Sequence, residues 1–571
     1  MPALHIMPRK TLRAERSSSL VVFCSKDELN IYRPGRTAAD IAARLDCSLF
    51  QAALLEMRGV TSETSDSVIK SWISPDMESM LDSLDLGETN SLAVDVFRSL
   101  NERSDVVVYG DYDVDGISAT ALAVEMALHR KASVRYFIPH RFNQGYGLHS
   151  DVATTIAKRK CDLVIVVDCG TQDAESVRLI RDSGIPVVIL DHHLAEGELA
   201  VSDTMVNPQI GGDITAKRLC AAGVIWCWAW QNELLPRERL RKLLDLVALA
   251  TIADCVSLAS PLNRVLVRGG MDVLRSAPRP GLAILMEKLG ILPSSLDPED
   301  LAMKIIPCLN AAGRLYFADL AVKILFNADD LPDKVDKIIE LNKKRRELSS
   351  RILEQVDGEQ ADPYQYVLTD KDWSVGVLSS VASRICSERN APVALVAAVG
   401  DIMRGTLRMP AGGDAVGILK TLAPMLNTWG GHRLAAGFSV KTEKWQEVRD
   451  ELERMLSKVK VLNDKEDLLY WLPSELDLRA WYEAEKLGPF GMDNPCPKLY
   501  SPYSGSVKII PLGKNGKHVK IDLGESTLLG FGAADLVKDR EGLMGWVYRP
   551  RVDTWRNVTS LQLVLEKMVT A

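Results

Sequence analysis

The chain reads as an α/β protein built in series. A parallel-sheet domain is joined by a long helix to a smaller α/β domain, and a β barrel or sandwich follows. Three observations predict this. From Asp105 onward, short apolar runs alternate with helix-patterned segments. Strands alternating with helices imply right-handed crossovers and a parallel sheet. Leu331–Asp357 then carries charge almost all round with few apolar positions, as expected of a helix that bridges domains. After Pro473 short β-patterned runs are separated by Gly-rich turns, the spacing of a small barrel or sandwich.

In order along the chain, Leu20–Cys24 follows Arg9, Lys10, Arg13 and Arg16. It is too short for a signal-peptide core of about 7–15 residues, and a strand is predicted. Residues 37–85 are helix-patterned, with a loop at Ser74–Met77 where Pro75 intervenes. Val106–Tyr109, Leu163–Val167 and Pro186–Leu190 are predicted strands. Ile117–Arg130 is a predicted helix with Ala121, Val124 and Leu128 on one face, and Ala174–Ser183 is another. Leu240–Ala253 reads as one strongly apolar helix. The second α/β unit, Pro363–Val440, has strands at Tyr366–Leu368 and Val393–Val399 around a helix at Val375–Ser387. Trp445–Leu456 is a further helix. Val507–Ile510, His518–Leu523, Leu528–Phe531 and Leu561–Val564 are the late strands. The expected divisions are 1–85 (mostly helical), 86–330, 331–360 (connecting helix), 361–460 and 461–571.

Composition excludes several classes. No apolar run approaches the roughly 20 residues of a membrane span, so no membrane partner is expected. Ten cysteines without a C-x-x-C pair argue against a thiolate zinc site and for a reducing cytoplasm. The net charge of −7 is not the basic footprint of a typical nucleic-acid binder, but local runs differ. Lys334–Arg351 holds seven Lys/Arg against three Asp/Glu, and Lys508–Lys520 holds four Lys and no acid. Either run is an ordinary solvated surface by itself. Beside a site that binds a phosphate backbone both become candidate nucleic-acid tracks.

The chemistry gathers where predicted strands and helices end. Asp111, Asp113 and Asp115 sit in Gly110-Asp111-Tyr112-Asp113-Val114-Asp115-Gly116. Carboxylates this close repel one another, and a divalent cation removes that cost. Side chains two apart in an extended chain point the same way, so the three are expected to converge. Asp168 follows Val166-Val167, Asp191-His192-His193 follows Val187–Leu190, and Asp254 ends the Leu240–Ala253 helix. Alone, Asp168 or Asp254 would be a cap or turn residue. Together they offer hard ligands along one sheet edge, where ligands of parallel sheets bind. Carboxylates with imidazoles suit Mn²⁺ or Mg²⁺. One Asp between two ions makes a two-metal centre.

At these motifs the chain resembles the DHH phosphoesterases. The four clusters look like that superfamily's motifs, and Gly430-Gly431-His432-Arg433-Leu434-Ala435-Ala436-Gly437-Phe438 looks like the signature of the DHH-associated domain. Phe137–Arg141 with Gly145–Leu148, Leu309–Arg314 and Pro489–Pro495 are most similar to the RecJ family of single-strand-specific 5′→3′ exonucleases. The resemblance runs from about residue 50 onward.

It implies a DHH catalytic domain, a DHH-associated substrate domain and a C-terminal OB-like barrel. It also implies two Mn²⁺ or Mg²⁺ ions held by Asp113, Asp115, Asp168, His192 and Asp254, with Asp168 bridging. Asp111, Asp191 and His193 would be supporting or transition-state groups. Arg141, Arg314, Thr406, Arg408, Gly430, Gly431 and His432 would grip substrate, while Trp471, Trp481 and Tyr482 are expected to be core residues rather than base-stacking rings. Tyr109 stands where some relatives have a metal-binding His, Cys308 where an Arg is expected, and Thr406 where a Ser is usual. The first implies a less fully held ion, and the loss of the Arg implies weaker phosphate contacts.

The implied function is metal-dependent degradation of single-stranded DNA to 5′ mononucleotides, in DNA repair and recombination. A monomer is expected, with a single-strand-binding protein and a helicase as candidate protein partners. The alternatives are a phosphodiesterase on short oligonucleotides or cyclic dinucleotides, and a non-catalytic replication scaffold. The extra C-terminal domain favours a long polymer, and the retained ligand set argues against a scaffold.

Overall fold

The computed structural model describes residues 21–571, apart from 89–91, 142–144, 196, 327–328, 357–364, 463–464, 514, 539 and 556–557. Arg9, Lys10, Arg13, Arg16, Leu20, Asp357, Pro363 and Lys514 therefore lie outside the described residues.

The first sheet is parallel throughout. Its strands run in the order Ser133–Phe137, Asp105–Gly110, Leu163–Val167, Val187–Leu190 and Thr204–Val206. Both faces are covered, so alternate residues feed different cores. Val106 and Val108 join the larger one, while Val107 and Tyr109 join the other. This explains the unbroken apolar runs. Periodicity does not mark the two outer strands. Ser133–Phe137 is an edge strand with an alternating exposed pattern, and Thr204–Val206 is only three residues long.

Val114–His129 is buried along almost its whole length by helices Ala221–Gln231 and Leu244–Ala253. Ala121 and Val124 are buried as expected, but Leu128, in the last turn, is half exposed. The expected Leu240–Ala253 helix is two helices, Arg237–Lys242 and Leu244–Ala253, broken at Leu243. Periodicity cannot mark that break, because apolar residues continue across it.

The linker helix, Leu331–Val356, also departs from a helix polar all round. Val335, Ile338 and Leu341 enter the core of the first unit, and Ile352 and Val356 enter that of the second. Each end thus has its own apolar stripe, which averages away over the full length. The second sheet is mixed, in the order Thr428–His432, Ala435–Lys441, Ile402–Arg408, Val393–Val399 and Val367–Thr369. Only its last pair is parallel.

The third sheet has nine strands, centred on a long hairpin of Leu543–Trp555 and Val558–Thr570. The first of these is absent from the sequence reading, which marks the second only at Leu561–Val564. Val22–Ser25 pairs in parallel with the last strand, and Leu29–Tyr32 with Glu466–Tyr470. Ile41, Phe50, Leu54 and Leu55 share a core with Trp471, Trp481 and Trp546. Trp471 and Trp481 are therefore packing residues, while Tyr482 is exposed. Among the described residues no helix is long and apolar enough to cross a membrane.

Candidate metal centre

The aspartate segment is a turn between strand and helix rather than an extended run. The strand ends at Gly110, and Asp113 is the N-cap of helix Val114–His129. Its Oδ1 accepts from the amides of Asp115 and Gly116, at 3.0 and 3.1 Å. The turn is tight at Gly116, where a Cβ would lie 2.5 Å from the Asp111 carbonyl oxygen. Alternation in an extended chain is thus not what brings the carboxylates together. Asp115 lies in the first helical turn and reaches a different partner set from Asp111 and Asp113. Its Oδ2 and Oδ1 accept from the amides of Ala221 and Ala222, at 2.7 and 2.9 Å. Those amides open the helix Ala221–Gln231, whose N-terminus favours negative charge.

Asp168 follows the middle strand with φ of 60°, in the left-handed region. Strain of this kind clusters at functional sites. Its Oδ1 is buried and makes no hydrogen bond among the described residues. On the adjacent strand, Asp191 is a hub. Its Oδ1 accepts from the amide of His192 at 2.7 Å and from His193 Nδ1 at 2.8 Å. Its Oδ2 accepts from the Thr171 hydroxyl at 2.6 Å. His192 Nδ1 donates to the Leu219 carbonyl at 3.1 Å, which leaves Nε2 as a ligand. That Nε2 lies 3.3 Å from Asp168 Oδ1, 3.7 Å from Asp115 Oδ2 and 3.8 Å from Asp254 Oδ2.

Three groups have ligand atoms within 4.8 Å of one another: Asp115/His192/Asp254, Asp111/Asp113/Asp168 and Asp168/His192/His193. Asp168 is shared, and it carries an unsatisfied buried oxygen, as does Asp111. A buried orphan carboxylate oxygen is costly unless paired or bound to a metal. The donor set therefore fits two hard divalent ions flanking Asp168.

The electrostatics agree. Burial first, then neighbouring carboxylates, raise Asp111 and Asp168 well above the usual range. Burial likewise pushes Asp115 up to about 7 and Asp254 up to about 8. Burial also lowers His192 to about 4, keeping it neutral as a ligand must be. His193 goes the other way. Burial opposes its charge, but its hydrogen bond to Asp191 outweighs that and raises it to about 9. Asp191 is correspondingly held below the ordinary carboxylate range, its own burial notwithstanding.

Facing this anionic edge is a cluster of cations. Burial lowers Arg314 to about 10, with Arg141, Arg345 and Arg408 adding repulsion and Asp113 opposing it. Arg314 Nη1 is buried without a hydrogen bond among the described residues. Arg141 lies over the Tyr112 ring, 4.9 Å from its centroid. Arg408 Nη1 donates to Thr406 Oγ1 at 2.9 Å. His432, on the hairpin that begins Thr428–His432, is close enough to His192 to affect its charge. Gly430 and Gly431 sit on the same strand. The structure thus brings the expected ligands together in one cluster, with Arg141, Arg314 and Arg408 interacting beside Asp113.

Sequence reasoning misses Arg345, which only the basic run signals. Its Nε donates to Asn342 Oδ1 at 3.0 Å, and Asn342 Nδ2 donates to the buried Cys308 Sγ at 3.1 Å. Cys308 therefore helps to orient a cation rather than merely lacking one. Tyr109 is not an empty substitute either. Its hydroxyl donates to the Gly147 carbonyl at 2.7 Å and its ring stacks on Phe137. Burial raises its pKa further, so the phenol stays neutral.

Comparisons follow the same divisions. The DHH family N-terminal domain matches residues 105–251, the DHHA1 domain 362–458 and the RecJ OB domain 471–567. This combination marks a DHH-type phosphoesterase architecture. The single-stranded-DNA-specific exonuclease RecJ of Haemophilus influenzae is 30% identical, over 73% of this chain and 78% of that protein. RecJ of Bacillus subtilis is 28% identical, over 95% of this chain and 71% of that protein. RecJ from Thermus thermophilus in complex with Mn²⁺ has a TM-score of 0.77 at 25% identity, covering 95% of this chain and 79% of that one. The chain belongs to the RecJ family.

Proposed function

We propose that this chain is a Mn²⁺- or Mg²⁺-dependent 5′→3′ exonuclease that hydrolyses single-stranded DNA to 5′ mononucleotides, in DNA repair and recombination. The observation that carries this is Asp168, whose unsatisfied buried oxygen is shared by two ligand groups and whose neighbour Asp113 interacts with Arg314 of the arginine cluster. Asp115, His192 and Asp254 would hold one ion and Asp113 the other, with Asp168 contributing to both. The closeness of Asp111 to Asp113 and Asp168 supports giving it a share in the second site. Bound ions would activate a water and neutralise charge on the phosphate.

The chain's own residues do the rest. Asp191 holds His193 as an imidazolium, which can donate to a phosphate oxygen as charge develops there. Arg141, Arg314, Thr406, Arg408 and His432 would bind the 5′ phosphate and nearby backbone, setting polarity. The cleft, bounded by the linker helix, would admit one strand and exclude duplex. The third sheet favours a polymer over a dinucleotide substrate. We place the enzyme in the cytoplasm as a monomer, with a single-strand-binding protein and a helicase as candidate partners.

Strands labelled at either end test the proposal. The 5′ label should appear as mononucleotide first, and blunt duplex should persist. Loss from the 3′ end, or equal attack on duplex, overturns it. Asp168→Asn should reduce cleavage by about a hundredfold to a thousandfold, the range for removing one key electrostatic group, and should abolish two-site Mn²⁺ binding in calorimetry.

A further inference from the structure

The loop between helices Ile306–Leu315 and Asp319–Leu325 carries two adjacent aromatic residues in open solvent. Tyr316 is 45% and Phe317 54% exposed. The loop itself is held firmly. The Tyr316 amide donates to the Ala312 carbonyl at 2.8 Å, and the Leu320 amide to the Phe317 carbonyl at 3.2 Å. At its base, a Cβ on Gly313 would lie 2.7 Å from the Tyr112 carbonyl oxygen, so the helix end is pressed against the aspartate turn.

The rings form a short array. His140 meets Phe317 at 5.1 Å and 68°, and Tyr316 meets it at 5.1 Å and 83°. Both contacts are edge-to-face. Isolated exposed apolar side chains need no explanation, but two members of this array adjoin members of the arginine cluster in the chain. Arg141 directly follows His140, and Arg314 is two residues before Tyr316. Cations for phosphates beside aromatic faces for bases are the two components of single-strand recognition. A protein or lipid partner would explain the rings but not their place beside the arginines.

We propose that Phe317, held by Tyr316 and His140, is a stacking shelf for one nucleobase within the first four nucleotides of the 5′ end. This rests on reading the arginine pocket as the grip on the 5′ phosphate. The shelf would take any base, since each has a flat π face, and it would act on binding rather than on the chemical step.

The test pairs loss of the ring with loss of the base. Single strands with a 5′ phosphate carry one abasic residue at position one, two, three or four. For the wild-type chain, one position should raise KM about tenfold with kcat unchanged, within the range expected for base–aromatic stacking. Phe317→Ala should raise KM by a similar factor on the intact strand and be indifferent to that abasic site, whereas Phe317→Trp should keep the discrimination. Phe317 is exposed, so an unchanged melting temperature is expected for both variants. Wild-type indifference at all four positions, or continued sensitivity of Phe317→Ala, overturns the shelf. A wild-type chain that leaves the unmodified strand intact overturns the reading beneath it, and the shelf with it.

Discussion

At the residue scale, the centre is a set of carboxylates held where their charge is costly. Asp115 and Asp254 are raised to about 7 and 8, mainly by burial. Their unfolded values are about 4, so without metal they favour the fold when protonated. That contribution is lost as pH rises through the folded values. His193, raised to about 9, acts in the same direction. His192, lowered to about 4, acts oppositely, but only below its unfolded value of about 6.5. In EDTA the melting temperature should therefore fall from about pH 6.5, above which His192 no longer opposes the trend, to about pH 9, the folded value of His193, and saturating Mn²⁺ should flatten the slope. A flat profile in EDTA would contradict this account.

Arg345 makes a second residue-scale prediction. Its Nε donates to Asn342, which is in turn held by Cys308, and it lies close enough to Arg314 to repel it, as Arg141 and Arg408 do. Arg345→Ala should raise KM for single-stranded DNA about tenfold with little change in kcat, as for one lost charge-assisted contact. The slope of log affinity against log salt should shrink by about one. Arg345→Lys should recover part of both.

At the element scale, the glycine strand separates fold from function. Gly431 has φ of 140°, and a Cβ there would lie 2.5 Å from the Ala435 carbonyl oxygen, so its glycine is required by the hairpin. A Cβ at Gly430 would meet nothing within 4 Å, so the fold does not demand glycine there. Gly430→Val should leave the melting temperature within about 1 °C, consistent with a surface change of at most about 0.5 kcal/mol. Cleavage should nevertheless fall at least tenfold if the strand passes against this backbone. Equal cleavage by the variant would remove Gly430 from the substrate path.

At the scale of the whole molecule, the two ends of the described chain build one unit. Phe50 is 1% exposed and meets Trp471 at 5.0 Å in the core under the nine-stranded sheet. Phe50→Ala should destabilise that unit by about 3–5 kcal/mol, read as an earlier urea transition in tryptophan fluorescence. The same unit reaches back to the metal centre. The Leu258 amide, four residues past Asp254, donates to the Met492 carbonyl at 2.8 Å. Arg58 Nε donates to Asn494 Oδ1 at 2.8 Å. The Pro489–Pro495 loop thus ties the third unit to the segment that presents Asp254.

The sequence by itself determined the local features. Val106–Tyr109, Leu163–Val167 and Trp445–Leu456 were legible because apolar spacing reports backbone period directly. The candidate ligand residues were legible because clustered carboxylates and imidazoles at element ends have little structural use. Tertiary structure alone decided which of them act together. Asp115 parts from Asp111 and Asp113 because the chain turns into a helix there and the amides of Ala221 and Ala222 receive its carboxylate. Arg345 comes near Arg314 only because the linker helix is pinned at both ends, and Val22–Ser25 finds its partner in Lys567–Thr570. These pairings depend on contacts between residues far apart in the chain, which no local periodicity records.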